Sequence, residues 1–388
     1  MKIGVITCWQ PDDNYGTQIQ CFALLKYLEK IGHEPFLIKY HRFEDINRTI
    51  TLAKLLKALN PYKLTNWFIR RVQSKKSASE SLLHNRNAPD FRKKYLMLSK
   101  DYYNYKELKK DPPKADCYIV GSDQVWNIYY SQVNNINAHF LNFGDKETLR
   151  FSYASSFGFS KNKLMKKYSK VVIPLLKRFN YISVREESGL DILKEMGLNN
   201  AQQVCDPTML LSASDYISYF NDENIAINTK KYIFVYELNA DSNLDLNEIK
   251  KWAINKSLDI IYVRAHGKIS DFQASYLSVP EWVMAIKNAE YVITNSFHGT
   301  VFSCLFNRPV ALYPLKGMAS TTNTRISVIT KLLEKNIVIN DSNNFSNILE
   351  SDFDWSVYKK NLEIFRDIGV SYLNKSLDTQ SFEVINEN

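Results

Sequence analysis

The chain has 388 residues, of which 45% are hydrophobic and 13% aromatic, so it has enough apolar material for two packed domains. No apolar run reaches the ~18 residues that a membrane-spanning helix needs, and Met1–Thr7 turns polar too soon to be a signal peptide. The five cysteines are scattered without CxxC spacing, so we expect free thiols in a reducing cytoplasm and no disulfide framework.

The formal net charge of +9 is unevenly distributed. Residues 47–110 hold 16 Lys and Arg against 4 Asp and Glu, a local charge of +12, which leaves −3 for the remaining chain. This segment begins with an amphipathic pattern that ends before Pro61. Two interpretations stay open: a solvated basic insertion packed on its domain, or a face for an anionic membrane or a pyrophosphate-linked lipid.

The first elements in chain order predict a βαβ unit. Lys2–Thr7 is typical of a buried strand, Thr17–Ile31 has helical periodicity, and Pro35–Tyr40 is typical of a second strand. A polar loop, Trp9–Gly16, joins the first strand to the helix. It lacks the GxGxxG fingerprint, so this Rossmann-like layout is not expected to bind a dinucleotide.

The first domain is predicted to continue to about residue 210. Its further predicted strands and helices are Asp116–Val120, Phe151–Phe157, Leu164–Phe179, Tyr181–Val184 and Arg185–Met196.

A second alternation of strands and helices predicts a second domain over residues 211–350. Its predicted elements are Tyr232–Leu238, Leu244–Lys256, Asp259–Arg264, Glu281–Ala289, Tyr291–Thr294, Val310–Tyr313 and Arg325–Leu333. Residues 351–388 are predicted to be a C-terminal helix and tail. Two units of similar plan predict an α/β protein with two Rossmann-like domains facing a cleft.

The stretch Tyr291–Thr300 is the strongest candidate for a ligand loop. It predicts a short buried strand, a polar turn over Asn295–Gly299, and a following helix. In an open α/β sheet such a turn lies at the carboxyl end of a strand, where ligands bind. The turn offers Ser296, His298 and Gly299 beside a helix N-terminus suited to anions. An ordinary connector, with its histidine satisfied by backbone groups, is the alternative.

Several other predicted loops carry polar side chains that suit an anionic ligand. Together with His298 of the loop described above, the candidates are Asn14, Asp123, Arg185, Asp206, Arg264 and Arg325. Guanidinium forks match carboxylate and phosphate, although Arg185 could also form a local ion pair with Glu186 and Glu187. No His, Cys or carboxylate motif has metal-ligand spacing, and neither a GxSxG nor a Walker A sequence occurs, so no metal is expected.

Four stretches in this order resemble the polysaccharide pyruvyl transferase family. They are Asn14-Tyr-Gly-Thr-Gln-Ile-Gln-Cys-Phe-Ala-Leu24 with Tyr27-Leu-Glu-Lys-Ile-Gly-His33, Gly121-Ser-Asp-Gln-Val-Trp-Asn127, Ser183-Val-Arg-Glu-Glu-Ser188 with Asp206-Pro-Thr208, and Asn295-Ser-Phe-His-Gly-Thr300. The resemblance implies a GT-B-like fold with the acceptor on the N-terminal side and the donor on the C-terminal side. It also implies transfer of pyruvate from phosphoenolpyruvate to two sugar hydroxyls, which forms a cyclic ketal.

By residue match, the resemblance assigns Arg185 and His298 to the phosphoenolpyruvate site, and the variable Phe297 beside them can contact the donor. We expect His298 to cycle protons, and Arg185 and Arg325 to clamp the two anionic groups of the donor. Asp123 is predicted either to orient His298 or to handle the second hydroxyl. The other predicted substrate-binding residues are Ser296, Asn14, Gly299 and Arg264. The route requires no metal and no redox cofactor.

The expected acceptor is a sugar of a surface polysaccharide precursor, linked to a polyprenyl pyrophosphate at the inner membrane face, and no nucleic-acid partner is expected. One alternative is a GT-B-type glycosyltransferase that uses a nucleotide sugar, although no nucleotide-binding signature is evident. The other is a non-catalytic member of an assembly complex, which the presence of both Arg185 and His298 argues against.

Overall fold

Buried, parallel strands organise the chain into two main sheets. The computed structural model describes residues 1–10, 14–42, 87–127, 133–159, 163–221, 230–238, 244–264, 274–315, 325–340 and 344–378. The strands of the first sheet are β1 Lys2–Ile6, β2 Glu34–Tyr40, β3 Leu98–Tyr102, β4 Cys117–Val120 and β5 Leu149–Ser152. They lie in the order β3-β2-β1-β4-β5, and every pair is parallel. Their carboxyl ends therefore meet at one edge.

Helices cover the first sheet. They are α1 Tyr15–Lys30, α2 Ala88–Tyr95, α3 Tyr105–Lys110, α4 Val133–His139, α5 Lys163–Leu176, α6 Glu187–Glu195 and α7 Ala213–Phe220. A small parallel sheet of β6 Ile182–Val184 and β7 Ala201–Gln203 extends the first one beyond β5. Isolated bridges join the two: Asp123 pairs with Ser155, and Ser155 pairs with Val184. The exits of β4 and β6 are thereby brought side by side.

The second sheet has the order β11-β10-β8-β9 and is also parallel. Its strands are β8 Tyr232–Glu237, β9 Asp259–Arg264, β10 Tyr291–Thr294 and β11 Val310–Leu312. Its helices are α8 Leu246–Asn255, α9 Val279–Asn288, α10 Phe297–Leu305, α11 Ile326–Leu333 and α12 Phe345–Glu350. Two Rossmann-like units, as predicted, thus follow one another along the chain.

The last described helix, α13 Trp355–Leu377, returns to the first unit. Tyr372 donates a hydrogen bond to the carbonyl of Ser152 at 2.8 Å, and Nε of Arg366 donates to the carbonyl of Met209 at 2.6 Å. The C-terminal helix therefore ties the second unit back onto the first.

Helix α1 is packed between the two units. Its Tyr15 ring stacks on Trp282 of α9 with centroids 5.3 Å apart. The Tyr15 hydroxyl donates to the carbonyl of Leu277 at 2.7 Å and lies 3.2 Å from the nitrogen of the same residue. One continuous apolar core includes residues of both sheets and of α1, so the start of α1 is fixed against both units.

The structure corrects three sequence predictions. Leu98–Tyr102, inside the predicted basic insertion of residues 47–110, is the edge strand β3, while residues 43–86 of that insertion lie outside the described residues. The predicted strand Phe151–Phe157 ends at Ser152, because Ala154 has a φ of 52° that breaks the ladder. The predicted turn is shorter than Asn295–Gly299, because Ser296 caps a helix that begins at Phe297.

The predicted boundaries at residues 210 and 350 stay predictions. None of the helices in the described ranges is both long and apolar enough to cross a membrane.

Candidate functional site

The loops after β4 and β6 and the first turns of α1 and α10 converge on one buried polar cluster. Its centre is Asp206, which follows the loop after β7 and caps a single 3-10 turn, Pro207–Met209. Arg185, Asp206 and His298 are each at most 5% exposed. Charged groups that are buried this close together require pairing with one another.

Arg185 directly follows β6 and is held by two carboxylates. Its Nε donates to Glu186 Oε1 at 2.8 Å, and its Nη1 donates to Asp206 Oδ2 at 2.9 Å. Burial favours the neutral guanidine, but the negative charges of Glu186 and Asp206 raise the pKa of Arg185 above its usual value. Its buried Nη2 has no hydrogen-bond partner among the described residues. One donor of the fork is thus left for a ligand.

Asp206 is almost fully satisfied as a hydrogen-bond acceptor. Oδ1 accepts from the Thr208 nitrogen at 3.0 Å and hydroxyl at 2.7 Å, while Oδ2 accepts from Ser122 Oγ at 3.1 Å as well as from Arg185. Burial would raise the pKa of this carboxyl, yet the positive charges of His298 and Arg185 hold the pKa of Asp206 far below its usual range. The carboxylate therefore stays ionised and is a poor proton donor.

His298 lies in the first turn of α10 and faces the start of α1. A Cβ built on Gly16 would overlap Nδ1 of the imidazole, so only glycine at position 16 allows this approach. The other ring nitrogen, Nε2, lies 3.6 Å from Asp206 Oδ2, beyond hydrogen-bond distance, and is buried without a hydrogen-bond partner among the described residues. At this distance Nε2 forms an ion pair with Asp206 when the ring is protonated, but it has no direct hydrogen bond to another described residue.

Two helix N-termini point their polar ends at this cluster. The Asn14 side chain caps α1 by accepting from the Thr17 nitrogen at 3.2 Å, and Ser296 Oγ caps α10 by accepting from the Gly299 nitrogen at 3.3 Å. Neither helix has an acidic residue in its first turn. Their partial positive charges are not offset locally and favour an anion.

Arg325 and Asp123 lie at the edge of the cluster. Arg325 occupies the cap position of α11 and is 9% exposed; burial and the nearby charge of Arg185 lower its pKa. Asp123 Oδ2 accepts from the Thr17 hydroxyl at 3.2 Å. The φ of Asp123 is 67°, a strained conformation of the kind that concentrates at functional sites.

Three predicted binding residues, Phe297, Ser296 and Gly299, make contacts within the protein. The Phe297 ring lies under the Arg185 guanidinium, 4.9 Å from its centre, and therefore supports the fork. The Ser296 hydroxyl is engaged as a helix cap. A Cβ at Gly299 would come too close to the side chains of Thr294 and Tyr236. The glycine therefore allows α10 to pack closely on the second sheet.

Arg264, another predicted binding residue, lies on the outer strand of the second sheet. It ends β9, the outer strand, where it is in register with Glu237. Two strand spacings, or about 10 Å, separate β9 from β10.

Sequence reasoning assigned no role to Asp206, although it named this residue among the polar loops. The carboxylate beside His298 is Asp206, whereas Asp123, predicted as a possible partner of this imidazole, bonds to Thr17. The Asp206-Pro-Thr208 sequence was named only as part of a family motif, and no local spacing relates it to His298. The suspected Arg185–Glu186 ion pair is present, and Glu187 pairs with Lys331 at 3.2 Å instead.

Within the described ranges, no group of three or more His, Cys, Asp or Glu side chains is arranged to hold a metal ion. The cluster brings together guanidinium and imidazole nitrogens and two helix N-termini, groups whose chemistry suits a small anion with several oxygens.

Solved structures with the same layout define the class of the fold. The UDP-GlcNAc 2-epimerase of Methanocaldococcus jannaschii, in complex with UDP-GlcNAc and UDP, is 14% identical, with a TM-score of 0.52 over 95% of this chain and 99% of that chain. Another UDP-N-acetylglucosamine 2-epimerase is 10% identical, with a TM-score of 0.51 over 98% of this chain and 96% of that chain. The fold is α/β and GT-B-like.

The family follows from a sequence profile. The profile of the polysaccharide pyruvyl transferase family matches residues 14–315. The chain belongs to this family, as the four motifs indicated. A search of curated proteins finds no match to this chain.

The contact between Gly16 and His298 predicts a coupled effect on stability. Gly16→Ala should destabilise the protein by about 2 kcal/mol, because the added methyl group collides with the imidazole. In a His298→Ala background the collision is absent, and the same change should stabilise α1 by about 0.5 kcal/mol. Urea unfolding of the four proteins measures this cycle. Equal effects of Gly16→Ala in both backgrounds would contradict the contact.

The lowered pKa of Asp206 predicts a pH-dependent loss of stability. The ionised form stabilises the native state at every pH above about 3.9, the unfolded value, and the contribution decreases as acid protonates the unfolded chain. Asp206→Asn should therefore cost about 3 kcal/mol at pH 7 and reduce the acid slope of the unfolding free energy below pH 4.

Urea unfolding between pH 3 and pH 7 checks this expectation. Asp215→Asn is the matched control, since Asp215 also has a lowered pKa but pairs with Lys30 near the surface. The control should cost about 1 kcal/mol. A cost for Asp206→Asn no larger than that of the control would contradict the central role of this carboxylate.

Proposed function

We propose that the protein transfers pyruvate from phosphoenolpyruvate to two hydroxyls of a sugar, forming a cyclic ketal and releasing phosphate. The observation that carries the proposal is a pair of buried nitrogens beside Asp206, Arg185 Nη2 and His298 Nε2, neither of which has a hydrogen-bond partner among the described residues. Phosphoenolpyruvate has a carboxylate and a phosphate on one small carbon frame. Arg185, Arg325 and the two helix N-termini supply matching donors for both.

The proton balance assigns a role to His298. Addition of a sugar hydroxyl to C2 of phosphoenolpyruvate requires a proton on the methylene carbon, C3. The neighbouring carboxylate, Asp206, is held ionised by its partners, so the proton must come from another group. In the proposed route His298 gives its proton to C3 and takes one back from the attacking hydroxyl. The second hydroxyl then attacks C2 and closes the ketal ring as the C2–O bond to phosphate breaks, and its proton leaves on the departing phosphate.

In the proposed route, Asp123 acts on the second sugar hydroxyl. It is half-buried, at the carboxyl edge of the first sheet, and its described hydrogen bond from Thr17 engages one carboxylate oxygen. We propose that it accepts a hydrogen bond from the acceptor sugar and orients the second hydroxyl. Arg185 and Arg325 offset the negative charge that develops on the departing phosphate.

We further propose that the acceptor is a lipid-linked precursor of a surface polysaccharide, presented at the inner membrane face. The sequence carries a charge of +12 over residues 47–110. In the described part of this segment, six lysines are exposed: Lys93, Lys94, Lys100, Lys106, Lys109 and Lys110. Lysines near an anionic surface contribute about 1 kcal/mol each, which supports peripheral contact.

The test of the reaction is phosphate release from phosphoenolpyruvate in the presence of free, nucleotide-linked and lipid-linked sugars. Release that depends on one acceptor, with a product heavier by one pyruvate ketal, supports the proposal. If no acceptor triggers release but a nucleotide sugar raises the melting temperature, the glycosyltransferase alternative replaces it.

Removal of the imidazole should slow the chemistry strongly without preventing folding. His298→Ala is expected to lower kcat for phosphate release by a factor of about 10² to 10⁴, because general acid–base catalysis is lost. His33→Ala, which removes an imidazole next to the N-terminal amine at the far end of α1, is the matched control and should leave kcat unchanged. A His298→Ala protein with unchanged turnover would exclude the proposed role.

Membrane contact predicts salt-sensitive sedimentation with anionic vesicles. The protein should pellet with phosphatidylglycerol vesicles at low salt and be released as salt screens the charges. Lys93→Glu with Lys94→Glu should weaken this binding. The same change at Lys359 and Lys360, an exposed pair on α13, is the matched control. Equal pelleting of both double variants would argue against the basic segment as the contact.

A further inference from the structure

The ends of β1 and β4 are joined by a buried hydrogen bond that has no part in the route described above. The hydroxyl of Thr7, which follows β1, donates to the carbonyl of Ser122 in the loop after β4 at 2.8 Å. Both side chains are buried. The Ser122 carbonyl belongs to the peptide group that joins Ser122 to Asp123. The Thr7 hydroxyl therefore holds the backbone directly before Asp123, the residue proposed to orient the second sugar hydroxyl.

The loop after β4 is held from its other side as well. Ser122 Oγ donates to Asp206 Oδ2 at 3.1 Å, inside the buried polar cluster. The preceding residue, Gly121, packs so closely on β1 that a Cβ built on it would lie 3.0 Å from Thr7 Cβ. The loop is thus fixed between Asp206 and Thr7, with its serine side chain on the cluster and its backbone on the end of β1.

Gln20 of α1 fixes the Thr7 side chain and connects it to a second contact of Asp123. Its Nε2 lies 3.2 Å from Thr7 Oγ1, 2.8 Å from the carbonyl oxygen of Cys8 and 3.1 Å from that of Thr17. The Thr17 hydroxyl in turn donates to Asp123 Oδ2 at 3.2 Å. Gln20 is fully buried, and a buried amide with several partners is held rigidly. One side chain thus joins the residue that holds the Asp123 backbone to the residue that holds its carboxylate.

The conformation of Asp123 depends on such support. Its φ of 67° lies in the left-handed region, which residues other than glycine adopt only at a free-energy cost. Its carbonyl accepts from the nitrogens of Val125 at 2.8 Å and Ser156 at 3.0 Å, which fixes the peptide after Asp123. The hydrogen bond from Thr7 fixes the peptide before it. Because both peptides are held, the backbone cannot relax by a rotation that would redirect the carboxylate.

We propose that Thr7 is a positioning residue for the ketal-forming step: its hydroxyl, supported by Gln20, keeps the Asp123 carboxylate directed at the second sugar hydroxyl. Thr7 is buried and acts through Asp123. The inference rests on the proposed function for the role of Asp123. Loss of the Thr7 hydroxyl should therefore weaken the use of the acceptor sugar and leave the use of phosphoenolpyruvate unchanged.

Thr7→Val tests this role, because valine keeps the branched shape that packs against Gly121 and removes only the hydroxyl. The variant should lower kcat/KM for the acceptor about tenfold, since Asp123 leaves its productive geometry, with an unchanged KM for phosphoenolpyruvate. Thr7→Ser keeps the hydroxyl, is the matched control and should retain most of the activity. Urea unfolding checks that both variants are folded.

A double-mutant cycle separates this role from a general effect on the fold. In an Asp123→Ala background, Thr7→Val should cause no further loss of kcat/KM, because the carboxylate through which it acts is absent. The same fold-loss with and without Asp123 overturns the inference, and so does equal activity of Thr7→Val and Thr7→Ser.

Hydrogen–deuterium exchange provides a readout that needs no turnover. The amides of residues 121–127 should exchange faster in Thr7→Val than in Thr7→Ser and the unaltered protein, because the loop after β4 loses one of its holds. Equal exchange in all three proteins overturns the inference. Faster exchange in Thr7→Val, in a protein that releases no phosphate from phosphoenolpyruvate with any acceptor, keeps the hold of Thr7 on Asp123 and contradicts the proposed reaction instead.

Discussion

The buried carboxylate of Asp206 is the interaction on which the geometry of the site depends. A carboxylate with no exposed side-chain surface is tolerated only when cations and hydrogen-bond donors replace its water. The donors come from separate parts of the chain: Ser122 after β4, Arg185 after β6, and Thr208 in the 3-10 turn. Satisfying this one group therefore fixes three loops of the first unit, and it places them beside His298 of the second.

The second constraint is the absence of a side chain at Gly16. Because α1 packs against the second unit through Tyr15, the first turn of α1 cannot retreat from α10 without breaking the ring stack on Trp282. The imidazole of His298 is thus confined between the glycine on one side and Asp206 on the other. Rigid confinement of this kind is what a proton-transferring group needs, because the reacting atoms must be held close to their productive geometry.

The sequence predicted most strands and helices well, but it predicted few of the contacts between side chains. Strands such as Tyr291–Thr294 and Asp259–Arg264 agree with the structure residue for residue, because buried parallel strands have apolar runs bounded by polar turns. β3 was missed because Leu98-Ser-Lys-Asp-Tyr102 is an edge strand whose polar residues interrupt the pattern. The start of α10 was placed late because capping by Ser296 depends on backbone geometry that composition does not reveal.

The candidate site could be predicted in part because its residues follow strands. The carboxyl ends of parallel strands lie at the same edge of a sheet, so residues there come close together regardless of which ones pair. Arg185, Arg325 and His298 were named as candidates in this way, since a guanidinium or imidazole beside a helix start carries recognisable chemistry, and their roles stay predictions. The pairing of His298 with Asp206 was not predictable, because the two residues belong to different units and no local spacing relates them. Contacts across a cleft depend on how two sheets are docked, and that docking is set by apolar surfaces such as the Tyr15–Trp282 stack.

Two buried nitrogens, Arg185 Nη2 and His298 Nε2, have no hydrogen-bond partner in the part of the chain that the structure describes. A buried donor without an acceptor costs about 1–3 kcal/mol, so an anion whose oxygens accept hydrogen bonds from Arg185 Nη2 and His298 Nε2 would gain binding free energy of that order. The carboxylates of Glu186 and Asp206 pair with the Arg185 guanidinium, so they offset its charge and hold it in position. An anion that accepts hydrogen bonds from both nitrogens would gain from both contacts. The arrangement therefore favours a ligand with oxygens on two sides over a simple monovalent ion, which could satisfy only one of them.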